Sequence, residues 1–236
     1  MDSLSTSGGK VTFAAAFGCQ MCSFWCKTLS MSDIEFIYFD LGRVLLDFTH
    51  ERGFQQIAGV SGLSVDAVRQ IMVDQGLSDS YECGTLSTAE FHSEFCRQSG
   101  SSLDLDALSM AWGDIFDIMP QSIRLASSLK AAGYRIGILS NTCEAHWEFA
   151  KQRFVVLSQL FGPVVTSYEV KAMKPDPAIY EAAAKKAQTP PERIFFLDDR
   201  AENIAGAEAC GWHARLFEHA TQMATDLERL GLSFNR

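Results

Sequence analysis

The sequence predicts an α/β protein whose parallel sheet is interrupted, early in the chain, by a block made of helices. Three observations carry that prediction. Short apolar, β-rich runs stop abruptly at polar residues, as in IEFIYFD, YRIGILSN and RIFFLDD. From Pro120 onward such runs alternate with segments of helical length, which implies right-handed βαβ crossovers and parallel strands. Between about residues 50 and 118 no strand pattern breaks the helical periodicity, a stretch long enough for a small helical bundle of its own.

The elements follow in order. Ile34 to Phe39 form the first strand, ending at Asp40. In the helical block, Ser64 can cap a helix with Val65, Val68 and Met72 on one face. Ser87 and Glu90 make a capping-box pattern in STAEFHSEF. Asp104 can cap a third helix carrying Leu105, Leu108, Trp112 and Ile115. A helix over about 121–132 ends at Gly133 and leads into a strand that stops at Ser140. A helix over about 144–155, a strand in GPVVTS and a helix in PDPAIYEAAAKKA come next. RIFFLDD is a strand ending in acids, AENIAGAEAC a helix and HARLF the last strand.

Composition bounds what such a protein can do. The 236 residues are 47% hydrophobic and 21% charged, which suits one large domain or one domain with an insertion. A core of that size needs no disulfide or metal staple. The formal charge of −9, with no basic patch, argues against nucleic acid as a partner. An anionic substrate must therefore be drawn by a local positive site. Cys83, Cys96, Cys143 and Cys210 are scattered and read as buried thiols, which suits a reducing cytoplasm. Cys19, Cys22 and Cys26 form C-x-x-C-x-x-x-C without an obvious fourth ligand, so a zinc site there is not expected. Residues 1–30 read as a disordered leader before Met31. Their apolar run VTFAAAFG is too short to span a bilayer, and Asp2 with a lone Lys10 makes a poor signal-peptide start. No membrane partner is expected, and the sequence leaves the oligomeric state open.

The strand ends are the informative places. In a parallel sheet, Asp40, Ser140 and the pair Asp198–Asp199 share one edge, beyond which ligands bind. Three carboxylates brought together resist ionisation unless a cation intervenes. Mg²⁺ fits hard oxygen ligands of this kind. Lys174, in the loop of VKAMKPDPAIY held by Pro175 and Pro177, would complete a phosphate site. Ser140 and the Asn141 backbone N–H would bind the remaining phosphate oxygens. The chemistry that follows is attack of Asp40 on phosphorus, with Mg²⁺ and Lys174 neutralising the phosphoryl oxygens and water later hydrolysing the aspartyl phosphate.

FDLGRVL, ILSNT, MKPDPAIY and FFLDDRAEN stand in the order and approximate spacing of four motifs, and in them the chain resembles the haloacid-dehalogenase-like (HAD) hydrolases over about residues 34–230. The resemblance implies a Rossmann-like parallel sheet core, residues 31–49 and 119–236, with an inserted α-helical cap at 50–118. It implies Asp40 as nucleophile, the Gly42 carbonyl as a magnesium ligand, Asp199 on the metal directly and Asp198 through water. Ser140 and Lys174 would hold the phosphoryl group. Gly42 departs from the family pattern, in which most phosphatases carry a second Asp as general acid and base. That contribution is worth about 10²–10⁴-fold. DLG-x-V with SNT-x-x-x-H, here Asp40 to Val44 and Ser140 to His146, resembles the bacterial subgroup that includes α-D-glucose-1-phosphate phosphatases, which keeps the same glycine. An anomeric oxygen leaves more easily than a simple alkoxide, so it depends less on an acid.

His146 could stand in for the missing acid or bind substrate, and an exposed helix histidine is the plainer reading. Arg43 either contacts the substrate or occupies its space. Asn203 either orients Lys174 or the acid pair, or is a helix amide satisfied by a loop. Tyr81, Glu82 and Trp112 are the cap residues considered for substrate choice, Trp112 being the one that reads as cap core. The expected function is a Mg²⁺-dependent phosphatase for a small phosphorylated metabolite such as a sugar 1-phosphate. A 2-haloacid dehalogenase also lacks the second acid, but needs neither metal nor the Asp198–Asp199 pair. A HAD-fold binding domain inactivated by Gly42 and Arg43 is the remaining alternative. No G-x-S-x-G elbow surrounds Ser140, which disfavours a serine hydrolase.

Overall fold

Phe36, Ile37, Tyr38 and Phe39 all have less than 1% of their surface exposed, so this strand is covered on both faces, as the interior strand of a parallel sheet must be. It is β1 (Phe36–Phe39) in a computed structural model that describes residues 34–235. The leader reading and the Cys19, Cys22 and Cys26 motif lie outside the described residues.

After β1 the chain turns through Gly42 into β2 (Leu46–Phe48), and five helices follow: α1 (His50–Ser61), α2 (Val65–Arg69), α3 (Leu77–Glu82), α4 (Thr88–Ser99) and α5 (Leu105–Gly113). The capping residues do what their types allow. Ser64 and Asp104 accept from backbone N–H groups of α2 and α5, and Ser87 with Glu90 forms a complete capping box on α4. A π-helical turn at Gln70–Asp74 extends α2. Phe54, Phe91, Phe95, Leu108 and Trp112 bury a core belonging to this helical cap. Tyr81 joins it to the rest of the chain: its hydroxyl accepts from the Ala145 N–H at 3.0 Å.

The expectation that no strand interrupts about residues 50–118 is corrected at its far end. Phe116–Ile118 form β3, paired antiparallel with β2 through Leu46↔Ile118 and Phe48↔Phe116. Three residues are too few to display a period of two, and the preceding AWG continues the helical pattern of α5. The two short strands are where the chain leaves the sheet domain and returns to it.

The alternation then runs α6 (Pro120–Ala131), β4 (Arg135–Ser140), α7 (Glu144–Arg153), α8 (Val156–Leu160), β5 (Val164–Thr166), α9 (Ser167–Val170), α10 (Pro177–Ala187), β6 (Ile194–Asp198), α11 (Ala201–Ala209), β7 (His213–Leu216) and α12 (Ala220–Arg229). The strand order is β5-β4-β1-β6-β7, every pairing parallel. One apolar layer, with Ile37, Phe39, Ile138 and Leu197, covers one face; another, with Phe36, Tyr38, Phe196 and Trp212, covers the other. This is an α/β, Rossmann-like parallel sheet core with an inserted α-helical cap. Of the four cysteines read as buried, only Cys143 is fully so; Cys83, Cys96 and Cys210 are partly exposed. Among the described residues no helix is long and apolar enough to cross a membrane.

Candidate active site

Register alone brings the carboxylates together. Phe39 lies opposite Ile138 on one neighbour and Leu197 on the other. The residues that follow, Asp40 and Asp198, therefore emerge side by side at the carboxyl edge, with Ser140 at the end of β4. Asp199 turns off the end of β6, and carboxylate oxygens of Asp40, Asp198 and Asp199 lie within 4.8 Å of one another.

Lys174 is the counter-charge. Its Nζ donates to Asp40 Oδ1 at 2.7 Å, Asp198 Oδ2 at 2.6 Å and the Leu139 carbonyl at 3.0 Å. The side chains of Lys174 and Asp198 are 1% and 0% exposed, so this ionic cluster is screened from water. Burial pushes the Lys174 ammonium toward its neutral form, but Asp40 and Asp198 outweigh that and hold its pKa above the ordinary lysine value. Burial likewise pushes the Asp40 carboxyl up, and Asp198 adds to it while Lys174 opposes.

The supporting residues explain how the loop is held. The Asn141 side chain donates to the Lys174 carbonyl at 3.0 Å and accepts from the Lys174 N–H at 2.8 Å, clamping strand end to loop. The sequence reading used only the backbone of Asn141. Asn203 settles between its two readings: its amide donates to both oxygens of Asp198, at 2.9 and 3.0 Å. With Lys174 and the Arg200 N–H, Asp198 thus accepts four hydrogen bonds. Asp199 is the more open carboxylate.

A cavity of about 170 Å³ opens above this cluster. Asp40, Gly42, Arg43, Ser140, Asn141, His146, Lys174 and Asp199 all line it, and Asp198 lies just beneath. Glu82 reaches it from the cap; Tyr81 and Trp112 belong to the cap core instead. Arg200, from FFLDDRAEN, also lines it, as do Phe48, His50 and Phe116, which no local motif in the sequence marks.

One expectation changes. His146 is not an exposed helix residue: it is 2% exposed, with its ring 4.8 Å from Trp112 and 5.4 Å from Phe116. Burial first, and His50 second, push its pKa down to about 3, so it carries no proton to donate as an imidazolium near neutral pH. Arg43 has a left-handed backbone (φ 59°), and its guanidinium pairs with Asp47 at 3.1 Å and sits 5.0 Å over the Phe48 ring. That arrangement ties Arg43 to β2.

Phe48 also accounts for Gly42. A Cβ built at Gly42 falls 2.6 Å from Phe48 Cε1, so the ring fills the space an acidic side chain would enter. Gly42→Asp should therefore melt at a lower temperature than the native protein, by about 1–3 kcal/mol of overpacking. Adding Phe48→Ala should recover much of the loss from this clash. Native-like melting of Gly42→Asp alone would contradict the steric account.

The family model for haloacid dehalogenase-like hydrolase matches residues 101–211. The chain is 26% identical over 212 residues to Phosphatase MT3486 of Mycobacterium tuberculosis, covering 84% of this chain and 95% of that protein. It is 25% identical over 178 residues to the D-ribitol-5-phosphate phosphatase of Bacteroides thetaiotaomicron, covering 72% and 85%. A HAD family enzyme of Bacteroides thetaiotaomicron, solved in complex with magnesium and inorganic phosphate, superposes with a TM-score of 0.68 at 24% identity, over 78% of this chain and 93% of that one.

Proposed function

We propose that the chain is a haloacid-dehalogenase-like hydrolase that works as a Mg²⁺-dependent phosphatase, acting on a small phosphorylated metabolite through an aspartyl phosphate on Asp40. The observation that carries this reading is the buried contact of Lys174 with Asp40, beside two further carboxylates within 4.8 Å. A sheet needs no such cluster for stability, because burying these charges costs more than apolar packing there would. Relatives named as phosphatases, one of them for a sugar-alcohol phosphate, support the substrate class.

The donor set fits magnesium: hard carboxylate oxygens from separate strand ends, one of them open. Asp40, the Gly42 carbonyl and Asp199 would hold it. Asp198, with its oxygens already accepting four hydrogen bonds, is less free to bind directly. When bound, Mg²⁺ supplies positive charge against the phosphoryl oxygens.

The chain's own residues do the rest. Asp40 attacks phosphorus as a carboxylate; Lys174, fixed by Asn141, lies against the attacking group and neutralises charge in the transition state. Ser140 and the Asn141 N–H bind phosphoryl oxygens, and His146 and Arg43 bound the space for the leaving group. A sugar 1-phosphate suits the small cavity and the glycine at position 42. A haloacid dehalogenase would leave the open carboxylate of Asp199 without a role.

Phosphate release from p-nitrophenyl phosphate and a sugar-phosphate panel tests the proposal. Activity should vanish when metal is chelated and return with Mg²⁺, with hexose 1-phosphates turned over faster than hexose 6-phosphates. Halide release from a 2-haloacid without metal would favour the dehalogenase instead. Absence of both activities in folded protein would favour a binding domain.

A further inference from the structure

The site as described has a nucleophile and a counter-charge but nothing to protonate the leaving group. Gly42 carries no side chain, and Phe48 fills the space beside it. We propose that Glu82, supplied by the cap, is the general acid and base of this site; the proposal rests on the phosphatase reading above.

Glu82 is the last residue of α3 and lines the same cavity as Asp40 and Asp199. The sheet domain fixes it there. Ser167 Oγ donates to the Glu82 carbonyl at 2.6 Å. Two residues on, a Cβ at Gly84 would fall 2.2 Å from the Tyr168 carbonyl, so the end of α3 is pressed against α9. The Glu82 carboxyl itself has no hydrogen-bond or ion-pair partner among the described residues, so it is free to act on a substrate.

The other proton carriers on the cavity fit the role less well. His146 is held neutral, and burial followed by the Arg43 charge pushes His50 down as well. The groups facing Glu82 are Asp79 on its own helix, Arg200 after β6 and the Cys143 thiol before α7. Burial and then Asp79 push Glu82 up to about 7, with Arg200 opposing them. Arg200 is itself bound to Glu202. Cys143 stays a thiol, since burial and Glu82 push its pKa up. A carboxyl of this kind can give and retake a proton near neutral pH.

The two half-reactions balance. As Asp40 Oδ bonds to phosphorus, the bond from phosphorus to the leaving oxygen breaks and that oxygen takes the Glu82 proton, releasing an alcohol. Glu82 then takes a proton from the water whose oxygen attacks phosphorus. The bond from phosphorus to Asp40 breaks, freeing phosphate and restoring the Asp40 carboxylate.

The test compares Glu82→Gln and Glu82→Asp with the native enzyme, all with Mg²⁺, on p-nitrophenyl phosphate and on an alkyl phosphate. Nitrophenolate leaves with little help, whereas an alkoxide needs a proton. Glu82→Gln should cut kcat/KM for the alkyl phosphate by about 10²–10⁴-fold and far less for the aryl phosphate, with Glu82→Asp recovering part of the loss. A second readout needs no turnover. A carboxyl whose folded pKa is raised loses its stabilising contribution as pH rises from its unfolded value through about 7. The melting temperature of Glu82→Gln should therefore rise relative to the native protein between pH 5 and pH 8. Equal losses on both substrates, or a melting difference that does not change with pH, would overturn the assignment. A native enzyme that released phosphate from neither substrate would overturn the phosphatase reading, and Glu82 as its acid with it.

Discussion

Asp40→Asn should abolish phosphate release while leaving the fold intact. The substitution keeps shape and one hydrogen-bond acceptor but removes the anionic oxygen that attacks phosphorus. Structurally it is mild: the Asp40 backbone N–H donates to the Leu197 carbonyl at 2.8 Å, and Lys174 retains Asp198 as its partner. A melting temperature near the native value together with loss of activity of at least about 10³-fold is expected, because a nucleophile acts as a unit with the groups around it. Residual turnover within tenfold of native would mean that another residue attacks.

Lys174→Met should have the opposite balance, with a large structural effect added to the catalytic one. The side chain is 1% exposed and its ammonium serves two carboxylates and a carbonyl. Removing it leaves Asp40 and Asp198 close together without their cation. Breaking a buried ion pair from one side typically costs about 3–5 kcal/mol. For a chain of this length each kcal/mol is worth about 2–4 °C of Tm. Lys174→Arg is no rescue, since a planar fork does not fit where a compact ammonium sits. A variant that melted like the native protein would show that the cluster is more open to water than its burial implies.

Where the sequence carried a long pattern or a chemically specific residue, it was legible. The capping box at Ser87 and Glu90 and the caps at Ser64 and Asp104 form as their residue types require. The alternation after Pro120 gives the parallel sheet, and that sheet brings Asp40, Asp198 and Asp199 to one edge. What escaped had no local signature. β3 is only three residues long, and its partner lies across the whole cap. Phe48, His50 and Phe116 reach the cavity through tertiary packing. His146 reads as a surface position on α7 but is covered by Trp112 and Phe116 from the cap side. Even the absence of an acid at Gly42 finds its steric counterpart six residues on, in Phe48, a contact that the β2 turn creates.

The central claim is a covalent phosphoryl group on Asp40, and trapping that group tests it most directly. Native protein with Mg²⁺ would be mixed with p-nitrophenyl phosphate, quenched in acid during turnover and reduced with borohydride, and its peptides examined by mass spectrometry. The account predicts that the Asp40 carboxyl alone is reduced to an alcohol, that omitting substrate prevents it, and that Asp40→Asn shows none. Reduction at another residue, or steady turnover with Asp40 untouched at every quench time, would contradict it.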